Sequence, residues 1–232
     1  MDLKQVNETL NLYVRPQTFP LALKLCQSES ELPERVRIPM RDMGYQITLC
    51  QGYGIARRFR WAVAVGKDDQ CCVGGASAMG FMAERPEEDM AKRLETGKYS
   101  HLLMAPTEIA DFEPDIFLLY TNSAQAMRLA QATTRSAGDN VSAIATGAGD
   151  CGDIVARTIK SNQCQFILPS GGDRVFGGAQ DQEVIFTIPS SKIEAVVQGL
   201  GETHQAGFRY PVLSDLRHAP ALPPFLQIPK DA

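Results

Sequence analysis

Residues 116–152 read IFLLYTNSAQAMRLAQATTRSAGDNVSAIATGAGDCG, and this stretch decides the fold class. Ile116–Tyr120 is an unbroken apolar run with the length and character of a buried strand. Asn122 or Ser123 then offers a short oxygen-bearing side chain where a helix needs its N-cap, and Ser123–Ser136 reads as that helix. Val141–Thr146 is a second strand, Gly147–Gly152 a glycine-rich loop, and residues 153–160 a second helix. Strand, helix, strand, loop, helix is the order of an α/β protein, whose helices cover a sheet.

A similar order lies upstream. Leu3, Val6, Leu10 and Tyr13 fall at helical spacing over residues 2–13, and Pro16 and Pro20 close that helix. Leu21–Leu25 reads as a strand, followed by a polar insertion, 27–43, carrying Arg35, Arg37 and Arg41. Residues 45–59 read as a helix and Trp61–Val65 as a buried strand. A loop with Cys71 and Cys72 leads into Gly74–Gly80, which opens a helix. Residues 87–97 are a charged helix, with Glu87, Glu88 and Asp89 on a solvated face. Leu102–Ala105 is a strand ended by Pro106, with Thr107 capping a short helix. Downstream, 165–168 and 184–188 read as paired strands, and Ser190 or Ser191 caps a helix over 191–200.

The two stretches share a register. Gly66 and Gly147 are 81 positions apart, Cys71 and Cys151 80, Pro106 and Pro189 83, and the first strands 95. The expectation is one α/β (or α+β) domain over 1–232, built from two similar strand-helix-strand-Cys loop-helix-strand halves. The halves are approximately 18–113 and 114–205, with a C-terminal tail 206–232.

Composition narrows the function. The chain has 232 residues, 44% apolar and 22% charged, which is globular and neither disordered nor fibrous. A net charge of −4 argues against a nucleic-acid partner, whose backbone is bound by excess Lys and Arg. No apolar run approaches ~18 residues, so no membrane partner is expected. The first residues lack a basic stretch followed by an apolar core, so the expected location is cytoplasmic, with reduced thiols. A small-molecule ligand is the expected partner, and a homo-oligomer is compatible with the composition.

Six cysteines need an account. Cys26 and Cys164 sit beside strands and read as core thiols. Cys50 lies on a predicted helix beside Gln51, Cys71 and Cys72 in the first loop, and Cys151 in the second between Gly149 and Gly152. None forms a C-x-x-C pair, so only folding can assemble a site from them. Iron–sulfur clusters accept such dispersed thiolates. Cys50, Cys72 and Cys151 are the candidate metal ligands, with Cys71 as the substitute for Cys72. Three protein ligands leave one iron open to a substrate oxygen. Gln51 and Arg174 then orient a small anion.

Two alternatives draw on other residues. Gly147-x-Gly149-x-x-Gly152 follows a strand and opens a helix, the context of a dinucleotide fingerprint, and Asp173 lies 21 positions further on. Asp150 inside that loop counts against a pyrophosphate. A nucleotide- or small-anion-binding module would use this loop and Arg174, which lies between glycine pairs in Pro169–Gly178 and forms either an anion nest or a hairpin. The second alternative is thiol redox chemistry at adjacent Cys71 and Cys72, which bridge only with strain. His204 reads as an acid–base residue near a pocket or as a helix C-terminal cation.

Pro20–Leu25, Leu49–Gln51, Cys72–Gly80, Asn122–Met127, the Cys151 loop, Gly172–Gly177 and His204–Pro211 together resemble the archaeal and bacterial family known as domain of unknown function 169. The resemblance covers most of residues 5–212. It implies a soluble prokaryotic protein, often from anaerobes, and brings no established reaction. It also implies cysteines at positions 50, 72 and 151, and gives Cys71 and Cys164 no role.

Overall fold

A computed structural model of the chain describes residues 2–83, 92–143, 147–214 and 222–228. Its strands are β1 (Leu21–Cys26), β2 (Val63–Gly66), β3 (His101–Pro106), β4 (Ile116–Thr121), β5 (Ser142–Ala143), β6 (Gln165–Ile167) and β7 (Val184–Pro189). They form one mixed sheet in the order β2-β3-β1-β4-β7-β6-β5. Among these pairs only β5–β6 is parallel. The helices are α1 (Leu3–Tyr13), α2 (Leu49–Phe59), α3 (Val73–Ala78), α4 (Ser123–Ala132), α5 (Asp150–Gly152), α6 (Thr158–Ser161) and α7 (Ile193–Gln205). Among the described residues no helix is long and apolar enough to cross a membrane.

Alternation along the strands sets the layers. Leu21, Leu23, Val63, Val65, Leu102, Met104, Ile116, Leu118 and Ile185 point to one face, where they meet Tyr53 and Ala56 of α2 and Ile154 and Val155 of the 150–161 helical run. Phe117, Leu119, Phe186 and Ile188 point to the other, against Leu10 of α1, Leu129 of α4 and Val196 of α7. Each such side chain contributes about 1.5–3 kcal/mol by leaving water. The sheet is thus buried on both sides, which is why its strands read as apolar runs.

The element order holds, with shifted boundaries. α2 starts at Leu49 rather than 45 because Ile47 is held in a bridge to Gln70, with its N–H donated to Asp69. Asn122 is the cap of α4, accepting from Gln125 N at 2.9 Å, and α4 runs on through a wider turn, Thr133–Ala137. The second Cys-loop helix starts at Asp150, three residues early, because Gly149 takes the left-handed conformation and caps it. β6 and β7 pair as expected, but a helical turn over 171–177 joins them, since Gly172 is helical (φ −64°). A short turn, Ser190–Lys192, precedes α7, with no side-chain cap. Thr107 begins a turn, not a helix. Of the expected charged helix 87–97, residues 87–91 lie outside the described residues and 93–97 carry no helix. The strand over 141–146 shows Ser142–Ala143, and 144–146 lie outside the described residues, as do 215–221 and 229–232 of the tail.

The structure does not show the expected internal duplication, although two strand pairs end at the offsets read in the sequence. Leu21 faces Pro106 and Ile116 faces Pro189, the offsets of 95 and 83 read in the sequence. Leu21 pairs with Leu118 and Leu23 with Ile116, so β1 and β4 are adjacent antiparallel strands at the middle of the sheet. The helices do not follow. A twofold axis normal to the sheet keeps equivalent helices on one face, yet α2 and α4 cover opposite faces. By sheet position β6 lies beside β7 as β2 lies beside β3, and among the described residues β5 has no counterpart in the first half. The expected pair of similar halves is therefore corrected to a shared strand frame with different helical cover.

Candidate metal centre

Three helical N-termini converge on one buried group of side chains. Thr48 caps α2 in a reciprocal box, Gln51 N to Thr48 Oγ1 at 3.0 Å and Thr48 N to Gln51 Oε1 at 2.9 Å, which makes Cys50 the second helical residue. Gly149 caps the next helix, making Cys151 its second residue. Ser170 opens the third segment, its Oγ accepting from Asp173 N at 3.2 Å.

Cys50 Sγ lies 3.7 Å from Cys151 Sγ and 3.9 Å from Asp150 Oδ1. The three ligand atoms all lie within 4.8 Å of one another, and all three residues are buried. The Asp150 carboxylate accepts from Ser170 N at 3.1 Å and from Ser170 Oγ at 2.9 Å. Helix N-termini favour negative charge, so this is where thiolates and a carboxylate are best placed.

Glycine allows the close packing. A Cβ on Gly177 would sit 2.7 Å from the Cys50 carbonyl oxygen and 2.0 Å from Asp173 Oδ1, so the 173–177 turn rests on α2 backbone to backbone. Asp173 is thereby buried beside the thiols, with Oδ2 accepting from Tyr120 Oη at 2.8 Å.

The group is rich in acids and short of cations. The Cys151 thiol is pushed well above the usual cysteine range by its hydrogen bond to Cys50 and by burial. Burial, then the Asp150 charge, lifts Asp173 to about 7. Burial raises Tyr53 too, reinforced by the thiols and both carboxylates. The cation Arg57 is fully buried, but its charge is matched by Glu183, which it meets at 3.0 and 3.2 Å. It also stacks on Tyr120 at 3.7 Å. A metal cation is the natural counter-charge for such a set, since it deprotonates coordinating thiols outright.

The distances suit an ion. Two thiolates about 2.3 Å from a tetrahedral centre are separated by about 3.8 Å. The observed 3.7 Å matches that spacing, and Asp150 supplies a third donor.

Of the residues proposed from sequence, Cys50 and Cys151 come together and the others do not join them. Cys72 is half-buried as the N-cap of α3 and stands outside the cluster. Cys71 is exposed. Gln51 is spent on capping α2. Arg174 donates to the Gln180 carbonyl at 2.8 Å and borders the surface, so it orients nothing at the thiols. Gly147 and Gly149 take left-handed conformations, and a Cβ on Gly152 would meet the Lys92 carbonyl at 2.3 Å. Main chain therefore occupies the approach that a pyrophosphate needs, and Asp173 is bonded to Tyr120 rather than presented to a ribose. Cys26 and Cys164 are core thiols, each lifted to about 11 chiefly by burial. His204 sits in the last turn of α7 against Tyr13, and α7 covers the face opposite α2.

Sequence reasoning missed Asp150, Ser170, Tyr53 and Tyr120 as parts of this group. Its one available signal was Asp150 adjoining Cys151 in a glycine loop. A cavity of about 180 Å³ opens beside that loop, lined by Ser77, Lys92, Arg93, Gly149 and Gly152 among others. A larger one, about 780 Å³, lies beside Gly66, Asp69 and His101 and shares no lining residue with the thiol cluster.

The chain belongs to the family domain of unknown function 169, described as "Uncharacterised ArCR", whose family model matches residues 9–199. That span contains every residue of the cluster. The chain is similar to the Uncharacterized protein MJ0308 of Methanocaldococcus jannaschii, at 25% identity over 233 residues, covering 88% of this chain and 97% of that protein. No solved structure matches it.

Proposed function

We propose that this protein binds a thiophilic metal through Cys50, Cys151 and Asp150 and presents the open coordination position to a small anionic ligand. The carrying observation is the 3.7 Å separation of two buried thiols at facing helix N-termini, with a carboxylate beside them. Closed structural sites use four protein ligands, whereas sites that act on a ligand keep a position free. A cavity of about 180 Å³ adjoins Gly149 and Gly152, which flank Asp150 and Cys151 in sequence. The metal would act as a Lewis acid on a bound oxygen.

Iron, alone or in an iron–sulfur cluster, is the metal of this reading. The cluster form needs a third thiolate. Cys72 stands outside the group, so it would supply that thiolate only if the N-terminus of α3, which packs against α5, moved to bring it in.

Anaerobic purification of the full chain with metal and acid-labile sulfide analysis tests this. One metal per chain, lost on Cys50→Ser or Cys151→Ser, is the expected result. Equimolar sulfide and dependence on Cys72 mark the cluster form. Metal-free protein from iron-replete anaerobic cells overturns the proposal.

A further inference from the structure

Two buried polar atoms on elements packed around the thiols have no partner among the described residues. The Tyr53 hydroxyl is fully buried and makes no hydrogen bond to them. Asp173 Oδ1 is equally buried and equally unpaired, although its sister oxygen is bonded to Tyr120. Leaving buried polar groups unsatisfied is costly, and native proteins rarely do so without a ligand or solvent molecule to complete them.

Their positions are not accidental. Tyr53 follows Cys50 by three residues on α2, which puts both on one helical face. Both belong to the same core cluster as Cys151 and Tyr120. Asp173 is pressed onto α2 by the contact of Gly177 with the Cys50 carbonyl. The thiol group is thus bordered by one unused donor and one unused acceptor from different elements. A single O–H group lying between them would answer both, accepting from the tyrosine and donating to the carboxylate oxygen.

We propose that Tyr53 and Asp173 together bind an exchangeable O–H ligand, water or the hydroxyl of a small substrate, at the open position of the centre. This rests on the metal reading for the identity of the centre but not for the existence of the ligand position. Tyr53 and Asp173 are then the groups that fix the ligand's orientation and hold its proton. With the Asp173 carboxyl ionised, a ligand with no transferable hydrogen leaves it unsatisfied, and one with no lone pair leaves Tyr53 unsatisfied.

The test is a crystal structure of the full chain, grown anaerobically both metal-free and loaded with cobalt(II), alongside Tyr53→Phe. Water is the probe. An ordered oxygen within hydrogen-bond reach of both Tyr53 Oη and Asp173 Oδ1 in the metal-free crystal establishes the ligand position. The same oxygen about 2.0–2.2 Å from cobalt places it at the centre. Tyr53→Phe, which removes one hydroxyl and keeps the ring, is expected to lose that oxygen while cobalt affinity stays within about threefold. Direct bonding of Tyr53 to Asp173, a dry gap, or an oxygen that cobalt does not coordinate overturns the inference. Failure of wild-type protein to bind cobalt overturns the metal reading, and the metal-free crystal still decides whether the two side chains share a ligand.

Discussion

Asp173→Asn should flatten the dependence of stability on pH in the metal-free, reduced protein. Burial and the Asp150 charge raise the Asp173 carboxyl from 3.8 to about 7. The folded state therefore holds its proton where the unfolded chain has released it. Stability from this group is complete below about pH 4 and is lost as pH rises to about 7. Roughly three pKa units at 1.36 kcal/mol each set an upper bound of about 4 kcal/mol. Relaxation around buried charges reduces this, so about 2 kcal/mol is the expected loss. Asparagine is neutral throughout, and its carbonyl oxygen still accepts from Tyr120, so the variant escapes that loss. Urea unfolding of both proteins at several pH values between 4.5 and 8 gives the comparison. The Asp173→Asn variant should match wild type at the acid end and exceed it by about 2 kcal/mol at pH 8. Other buried acids, such as Asp153 and Asp115, titrate equally in both chains and cancel in the difference. A difference constant to within about 0.5 kcal/mol across the range would refute the burial argument.

Three further outcomes follow from the same contacts. Gly177→Ala puts a methyl 2.0 Å from Asp173 Oδ1 and 2.7 Å from the Cys50 carbonyl, where backbone on one side leaves no room to yield; urea unfolding should show a loss of about 2–4 kcal/mol. Glu183→Gln strands the Arg57 guanidinium, itself 0% exposed, and should cost about 3–5 kcal/mol by the same measurement, whereas the exposed partner of Lys4, Glu8, should cost nothing measurable on replacement by Gln. Cys71→Ser should keep metal and stability, since that thiol is exposed and outside the cluster; loss of metal in this variant would move the site to the first loop.

The layered α/β plan was legible because its causes are local. Leu21–Leu25, Ile116–Tyr120 and Val184–Ile188 are apolar on both faces, and a strand covered by helices on both sides has to be. Capping residues gave the helix starts only where the preceding chain was free. At α2 a bridge from Ile47 to Gln70 overrode the apolar pattern that ran back to residue 45. The similarity of halves was legible in spacing, and spacing is a property of strand register. Which face a helix covers depends on the path of its connections, and no offset between glycines or prolines encodes it. That is why spacing could not foretell that α2 and α4 lie on opposite sides.

The site was half legible for a related reason. Cysteines announce themselves by rarity, and those near helix starts or in glycine loops could be singled out. Their third partner could not, because a carboxylate is common and its meaning depends on what faces it. Asp150 weighed against a phosphate ligand in the sequence, and the same charge at the same place supports a cation once Cys50 is 3.9 Å away. Both effects are one piece of electrostatics: three helix N-termini can hold an anion from outside or an anion from the chain. Here the chain supplies it, with Ser170 bonding both carboxylate oxygens, so the helix ends are already occupied. What the buried group still lacks is positive charge, and the proposed metal between the thiols would supply it where Arg57, held by Glu183, does not.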